Sequence, residues 1–176
     1  MEYAVLGMPA DGPTLDLDHR EFAYAGKFVM SDTGKAVVRS GGEILGAVAF
    51  NEDRSDTSTA KIRYVTVRAD RQGEGIGAQL LRFSAEKLQK RGYQAVVIAV
   101  NNPIAYRAAY RAGFGATGEQ TGIAEVLLEY DPKERLEDEF HAGLQAFRDR
   151  DLPANQEACL RKMQDSDLPA TVDAPE

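Results

Sequence analysis

Val67-Arg68-Ala69-Asp70-Arg71-Gln72-Gly73-Glu74-Gly75-Ile76-Gly77 decides how this chain is read. The residues before it, 61–68, alternate in polarity and include Ile62, Tyr64, Val65, Thr66 and Val67, so they read as a strand. After it, Ile76, Leu80, Phe83 and Leu88 recur at helical spacing until Gly92 stops the run. A strand thus passes directly into a helix through a turn with glycine at alternate positions. Glycine at 73, 75 and 77 lets a ligand approach the backbone without meeting a side chain. The outward N–H groups and the positive end of the helix suit a phosphate or diphosphate. A P-loop would need Lys-Ser or Lys-Thr after its last glycine, and Ala78-Gln79 stand there instead. The spacing G-x-G-x-G also departs from the G-x-G-x-x-G of dinucleotide sites, and several antiparallel strands precede it. The plain alternative is a tight turn with no ligand, but three glycines beside a basic cluster exceed what a turn requires.

Working outward, residues 3–7 read as a short strand and 8–26 as irregular, with a helical turn near 21–25. Residues 27–31 and 35–40 read as strands about the turn Ser31-Asp32-Thr33-Gly34, and Gly41-Gly42 predicts a hairpin into 43–50. Residues 51–59 form a polar loop. On the C-terminal side, Gln94 to Val100 reads as a buried strand. Asn102-Pro103 caps a helix that runs through Ala105, Ala108, Ala109 and Ala112 to a stop at Gly113. Phe114 to Gly118 and Ala124 to Tyr130 close with a hairpin. The order predicts an α/β (α+β) domain over 1–130: a single mixed, mostly antiparallel sheet with helices on both faces. Asp131-Pro132 marks its end. Residues 131–176 read as an acidic helical extension: Leu136, Phe140, Leu144 and Phe147 share a helical face, 154–164 form a second helix, and 168–176 are expected to be disordered.

Composition narrows the classes. The chain has 176 residues, 43% of them hydrophobic and 28% charged, as in a soluble globular protein. No apolar run approaches the length of a membrane span. One cysteine, Cys159, excludes an intrachain disulfide, and it gives no metal-ligand spacing with His19 and His141. The start of the chain lacks the basic flank and apolar stretch of a secretory signal, so a cytoplasmic location is expected. The net charge of −7 is concentrated at one end: residues 1–130 hold 15 Lys/Arg and 16 Asp/Glu, residues 131–176 hold 6 and 12. Residues 61–91 run against the trend, with eight basic side chains and three acidic ones. That local field suits a small polyanion better than a nucleic acid; a solvated helix face is the bland reading of Arg82 to Arg91.

Gln72-Gly73-Glu74-Gly75-Ile76-Gly77-Ala78, after the strand 62–67, resembles the Gln/Arg-x-x-Gly-x-Gly/Ala signature of the GNAT superfamily of N-acetyltransferases. Asn102-Pro103-Ile104-Ala105, followed by Tyr110-Arg111-Ala112-Gly113-Phe114, resembles that family's second motif. The resemblance covers roughly residues 24–130 and implies the acyl-CoA N-acyltransferase fold. It implies acetyl-CoA as co-substrate, its diphosphate on the amides of Gln72, Gly73, Glu74, Gly75, Ile76, Gly77 and Ala78. The pantetheine arm would pair with the strand at Val65, Thr66 and Val67, with Asn102 (or Asn101) helping to hold it. Arg68 and Arg71 would assist the phosphates. The implied reaction is direct acetyl transfer to a primary amine, with a backbone N–H near Val67 serving the oxyanion.

The chain departs from the family pattern in two places. The usual acid is a tyrosine four residues before the glycine of Gly-Phe, and Ala109 stands there. Tyr110 is turned about 100° from that position on an ideal helix and Tyr106 about 60° the other way. The candidates for the acid are therefore Tyr110, Tyr106, or water or another group, with aromatic core packing as the structural alternative for both rings. Glu52, Asp53, Tyr64 and Thr66 are candidates for the base. The second departure is the short segment 8–26, where the family places helices that shape the acceptor site. The acceptor pocket is then open, or completed by residues 131–150 or by a second subunit in a homodimer. A small-molecule or peptide amine is the expected partner, with no nucleic acid, membrane or metal. Two other readings stand beside this one: a non-catalytic acyl-CoA-binding domain, and an interaction module acting through the acidic tail.

Overall fold

Residues 1–52 lay down three antiparallel strands, and the computed structural model describes all 176 residues. β1 (Glu2–Gly7) pairs with β2 (Gly34–Ser40), and β2 pairs with β3 (Glu43–Glu52) across the Gly41-Gly42 turn. β4 (Thr59–Val67) returns antiparallel to β3, with Ala47 opposite Thr66 and Ala49 opposite Tyr64. Strand alternation gathers Val37, Ala47 and Ala49 on one face, where they cluster with Leu15, Leu17, Phe22, Ala25 and Phe28. Residues 25–28 form α1 (Ala25–Phe28). On the opposite face lies α2 (Ile76–Lys90): a Cβ at Gly46 would meet Val38 Cγ1 at 3.3 Å and Leu80 Cδ2 at 3.4 Å, so helix and sheet are in close contact. Leu80, Leu81, Phe83, Ala85 and Leu88 bury one stripe of that helix.

The strand expected over 27–31 is corrected by the structure. Ala25–Phe28 is one helical turn, closed by the Lys27 N–H donating to Tyr24 O at 2.8 Å. Phe28 is wholly buried in the cluster, while Val29 and Met30 are 49% and 52% exposed. Only one residue of the apolar run therefore has a core to enter, and a turn delivers it better than a strand.

A buried lysine fastens this segment to the sheet. Lys35 on β2 has no solvent exposure, and its Nζ donates to Pro13 O at 2.7 Å, Met30 O at 2.6 Å, Thr33 O at 2.9 Å and Thr33 Oγ1 at 2.7 Å. Those oxygens replace the water the ammonium lost. Both ends of the stretch 13–33 are held to one side chain.

The chain divides into two compact parts, residues 1–96 with 173–176, and residues 97–172. The division falls within β5 (Ala95–Val100). In the second part α3 (Pro103–Ala112) starts at Asn102, whose side-chain oxygen accepts the Ala105 N–H at 2.9 Å, and stops at Gly113 in the left-handed region. β6 (Phe114–Gln120) and β7 (Val126–Tyr130) form the closing hairpin, and β7 pairs antiparallel with β5. The whole chain has a mixed seven-stranded sheet, of order β1-β2-β3-β4-β5-β7-β6.

Residues 131–172 belong to the second part. α4 (Glu137–Leu144) and a short 3-10 turn at Gln145–Phe147 carry Phe140, Leu144 and Phe147 inward, and α5 (Ala154–Gln164) follows. The segment ties itself to the end of α3: Arg135 donates to Tyr110 O at 2.7 Å, and the Val172 N–H donates to Arg111 O at 2.8 Å. The Tyr110 carbonyl also accepts the Gly113 N–H at 3.1 Å, and the Arg111 carbonyl is one of the orphans at the helix C-terminus. No helix is long and apolar enough to cross a membrane.

Candidate active site

β4 delivers the chain to the glycine turn. After Val67, a 3-10 turn at Ala69–Arg71 and extended Gln72 lead to Gly73 and Gly75, with φ of 84° and 82°. That left-handed region strains a residue with a side chain, which is why glycine occupies both places. Gly75 caps α2 with no side chain to accept a helix N–H. The first intrahelical bond is the Gln79 N–H to Gly75 O at 3.1 Å, so the N–H groups of Gly75, Ile76, Gly77 and Ala78 precede the helix's own acceptors. A Cβ built on Gly73 would meet nothing within 4 Å, so the turn opens to solvent. Four free donors at the positive end of a 15-residue helix fit the diphosphate that the sequence implies.

The neighbouring charges are partly spent. Arg68 is held by Asp70 at 2.6 Å and Glu43 at 3.2 Å, and Arg71 by Glu74 at 2.8 Å. The hydrogen bond from Arg68 holds the Asp70 carboxyl below its ordinary range. These are surface pairs of small individual worth, which an arriving anion can rearrange. Gln72 Nε2 donates to Val67 O at 3.4 Å, a long bond that ties the turn back to the strand it leaves.

Along β4, Val65 and Val67 lie on the α2 side; a Cβ on Gly77 would stand 3.4 Å from Val67 Cγ2. Tyr64 and Thr66 lie on the other side. Tyr64 packs beside Tyr24, ring centroids 5.7 Å apart, and the Lys27 ammonium stands 5.7 Å from its ring centre. Thr66 is 4% exposed and its hydroxyl has no hydrogen-bond partner. The segment 15–28 covers this side, and the Ala69 N–H donates to Glu21 O at 2.8 Å, which fixes the segment at the end of β4.

Asn102 has a structural duty, since its side-chain oxygen caps α3 and its amide nitrogen donates to Asn101 Oδ1 at 3.2 Å. Tyr106 and Tyr110 are both wholly buried. The Tyr106 hydroxyl donates to Phe140 O at 2.9 Å, and the Tyr110 hydroxyl accepts the Ala116 N–H at 2.8 Å. Their rings stand 5.0 Å apart and pack on Phe140 at 5.8 and 4.8 Å. A Cβ on Gly143 would land on the Tyr106 hydroxyl, so α4 approaches this ring only through a glycine. Burial pushes both phenols above their ordinary range. Both hydroxyls are thus engaged within the second part of the chain, Tyr106 with Phe140 O and Tyr110 with the Ala116 N–H.

Of the base candidates, Asp53 accepts from Ser55 N at 2.9 Å and Ser55 Oγ at 2.7 Å, which shapes its own loop. Glu52 accepts the Tyr93 hydroxyl at 3.0 Å at the other end of β4 from the glycine turn. Sequence reasoning missed Lys35, Gly143 and the pairing of Glu52 with Tyr93. All three depend on partners distant along the chain, and no local pattern announces them.

The Acetyltransferase (GNAT) family model matches residues 7–114. Among solved structures, IAA acetyltransferase from Bacillus cereus is 16% identical, with 73% of this chain and 99% of that one covered and a TM-score of 0.53. An N-acetyltransferase from Staphylococcus aureus Mu50 is 22% identical, over 57% of this chain and 68% of that one, with a TM-score of 0.50. The protein yncA from Salmonella typhimurium, solved with its cofactor acetyl-CoA, is 20% identical, over 59% and 67%, also with a TM-score of 0.50. At these identities the likeness concerns the fold. No curated protein sequence matches. With more than half of its length matched by the family model and both motifs in place, the chain belongs to the acetyltransferase (GNAT) family.

Proposed function

We propose that this protein moves the acetyl group of acetyl-CoA to the primary amine of a small molecule or peptide. The observation that carries the reading is the turn 72–78, with two left-handed glycines and four unclaimed N–H groups at the head of α2. The diphosphate of the co-substrate would rest there, and Val65, Thr66 and Val67 would offer backbone groups to its pantetheine arm. Asn102 would act by fixing the start of α3 rather than through a free side chain.

The bound thioester supplies an activated acetyl carbonyl. An ammonium acceptor first gives one proton to solvent; the lone pair of the neutral amine then forms the new C–N bond as the C–S bond breaks, and the nitrogen sheds a second proton, which through water balances the one taken up by the thiolate. The chain contributes position and exclusion of water, since a thiolate leaves readily. In this reading water serves as the acid, and the burial and engagement of Tyr106 and Tyr110 support it. The acceptor is a primary amine, matched to the exposed acidic residues of the segment 16–21 by charge.

Two measurements test the reading. Thiol release from acetyl-CoA should depend on an added amine, across a panel of polyamines, amino acids, aminoglycosides and peptides. Calorimetry should show acetyl-CoA binding without an acceptor. Binding with no turnover on any amine would favour the second reading, an acyl-CoA-binding domain without transfer; the sequestered tyrosines are the observation on its side.

A further inference from the structure

A cavity lies at the opposite end of β4 from the glycine turn. It is a cleft of about 430 Å³ lined by Met8, Glu52, Thr57, Ser58, Arg91, Gly92 and Tyr93. That size falls within the range of small-molecule sites. The nine residues of β4 separate it from the turn by roughly 25 Å at the usual rise of a strand. A ligand on the turn and a ligand in the cleft are therefore different molecules or distant parts of one.

The lining is built. Tyr93 donates its hydroxyl to Glu52 Oε1 at 3.0 Å, which orients the carboxylate and leaves Oε2 without a partner. Burial, and then this bond to Glu52, hold the Tyr93 phenol above its ordinary range. The rim 56–59 is shaped by Asp56, which accepts from Ser58 N at 3.0 Å, Ser58 Oγ at 2.6 Å and Thr59 Oγ1 at 3.0 Å. The Gln94 N–H donates to Ser58 O at 2.8 Å and joins that rim to the segment after α2. Arg91 follows the last turn of α2, is exposed, and takes part in none of the chain's ion pairs. Glu52 and Arg91 thus line one cleft with no ion pair between them, and Met8 and Tyr93 line it as well.

The geometry points to a binding site for a small zwitterion of the amino-acid class, its ammonium on Glu52, its carboxylate on Arg91 and its apolar part toward Met8 and Tyr93. A cation alone would engage only Glu52, and an anion alone only Arg91, both of which are exposed. A molecule with both charges satisfies the two together. Charge-assisted hydrogen bonds at each end give the recognition. The inference is independent of acetyl transfer.

The test is an amide NMR titration of the whole protein with three probes of nearly equal shape: leucine, leucinamide and N-acetylleucine. Leucine should shift the amides of Thr57, Ser58, Gly92 and Tyr93. Leucinamide, which lacks the carboxylate, and N-acetylleucine, which lacks the ammonium, should each bind roughly tenfold more weakly or worse. Glu52→Gln should remove the advantage of leucine over N-acetylleucine, and Arg91→Gln its advantage over leucinamide, each with a melting temperature close to that of the parent. Three probes of equal affinity would overturn the proposal. So would shifts centred elsewhere, or none at these amides up to about 50 mM leucine.

Discussion

Replacing Tyr110 by phenylalanine separates chemistry from packing. In the structure the Tyr110 hydroxyl accepts the Ala116 N–H at 2.8 Å, and Tyr110 and Ala116 are 0% and 7% exposed. The phenylalanine ring keeps its contacts with Tyr106 and Phe140 but leaves that N–H without its acceptor. An unmet buried donor costs about 1–3 kcal/mol. For a chain of this size each kcal/mol lowers the melting temperature by about 2–4 °C, so the variant should melt about 2–12 °C lower. Acetyl transfer per folded molecule should stay within about threefold of the parent. A general acid would behave in the opposite way, since its removal costs about 10²–10⁴ in rate. The assay is thiol release at saturating amine, beside a thermal melt of the same preparation. A rate loss beyond a hundredfold with an unchanged melt would refute the structural role and return Tyr110 to the chemistry.

The other predictions concern stability. Gly143→Ala should destabilise by about 2–4 kcal/mol in urea, because the new methyl meets the Tyr106 hydroxyl and displaces its bond to Phe140 O; Ala's better helix propensity offsets about 1 kcal/mol. Pairing it with Tyr106→Phe should recover part of the loss, and strict additivity would contradict the contact. Lys35→Met should cost about 3–5 kcal/mol and raise amide exchange across 13–33, since it leaves four oxygen acceptors around an apolar tip; a cost under about 1 kcal/mol would argue against the clasp. The bond from Arg20 holds the Asp18 carboxyl down at about 2, and bonds from Ser55, Ser58 and Arg68 hold Asp53, Asp56 and Asp70 below their ordinary range. A carboxyl depressed in the folded state stabilises it fully above its unfolded pKa of about 4, and that contribution fades as pH falls toward about 2. Melts between pH 5 and pH 2 should show this decline, and the NMR titration of Asp18 should have its midpoint near the lower end.

The parts of the fold legible in the sequence are those set by neighbours along the chain. The turn from Val67 to Gly77, the helix Ile76–Lys90, the Asn102 cap and the helix Ala154–Gln164 all follow from spacing, caps and glycines. The strand expected over 27–31 failed because burial decided it: Phe28 alone has a core to enter, under Leu15 and Leu17. The tyrosines show the same limit within the site. Periodicity places Tyr106 and Tyr110 on α3, but what their hydroxyls meet depends on Phe140 and Ala116, which lie 34 and 6 residues further on. Two hydrogen bonds, Arg135 to Pro169 O at 3.2 Å and Val172 N–H to Arg111 O at 2.8 Å, likewise engage a stretch whose composition reads as loose. The cleft at Glu52 assembles residues from four separate stretches, which no single motif encodes.

The most direct measurement is a calorimetric titration of coenzyme A into the parent protein and into Gly73→Val. A Cβ at 73 meets no protein atom within 4 Å, so the valine side chain would project toward the anion cradle while straining one left-handed residue by about 1–3 kcal/mol. The account predicts one binding event for the parent and its loss, or at least a tenfold weakening, in a variant that still folds. Equal binding by the two proteins, or no heat from the parent, would contradict it.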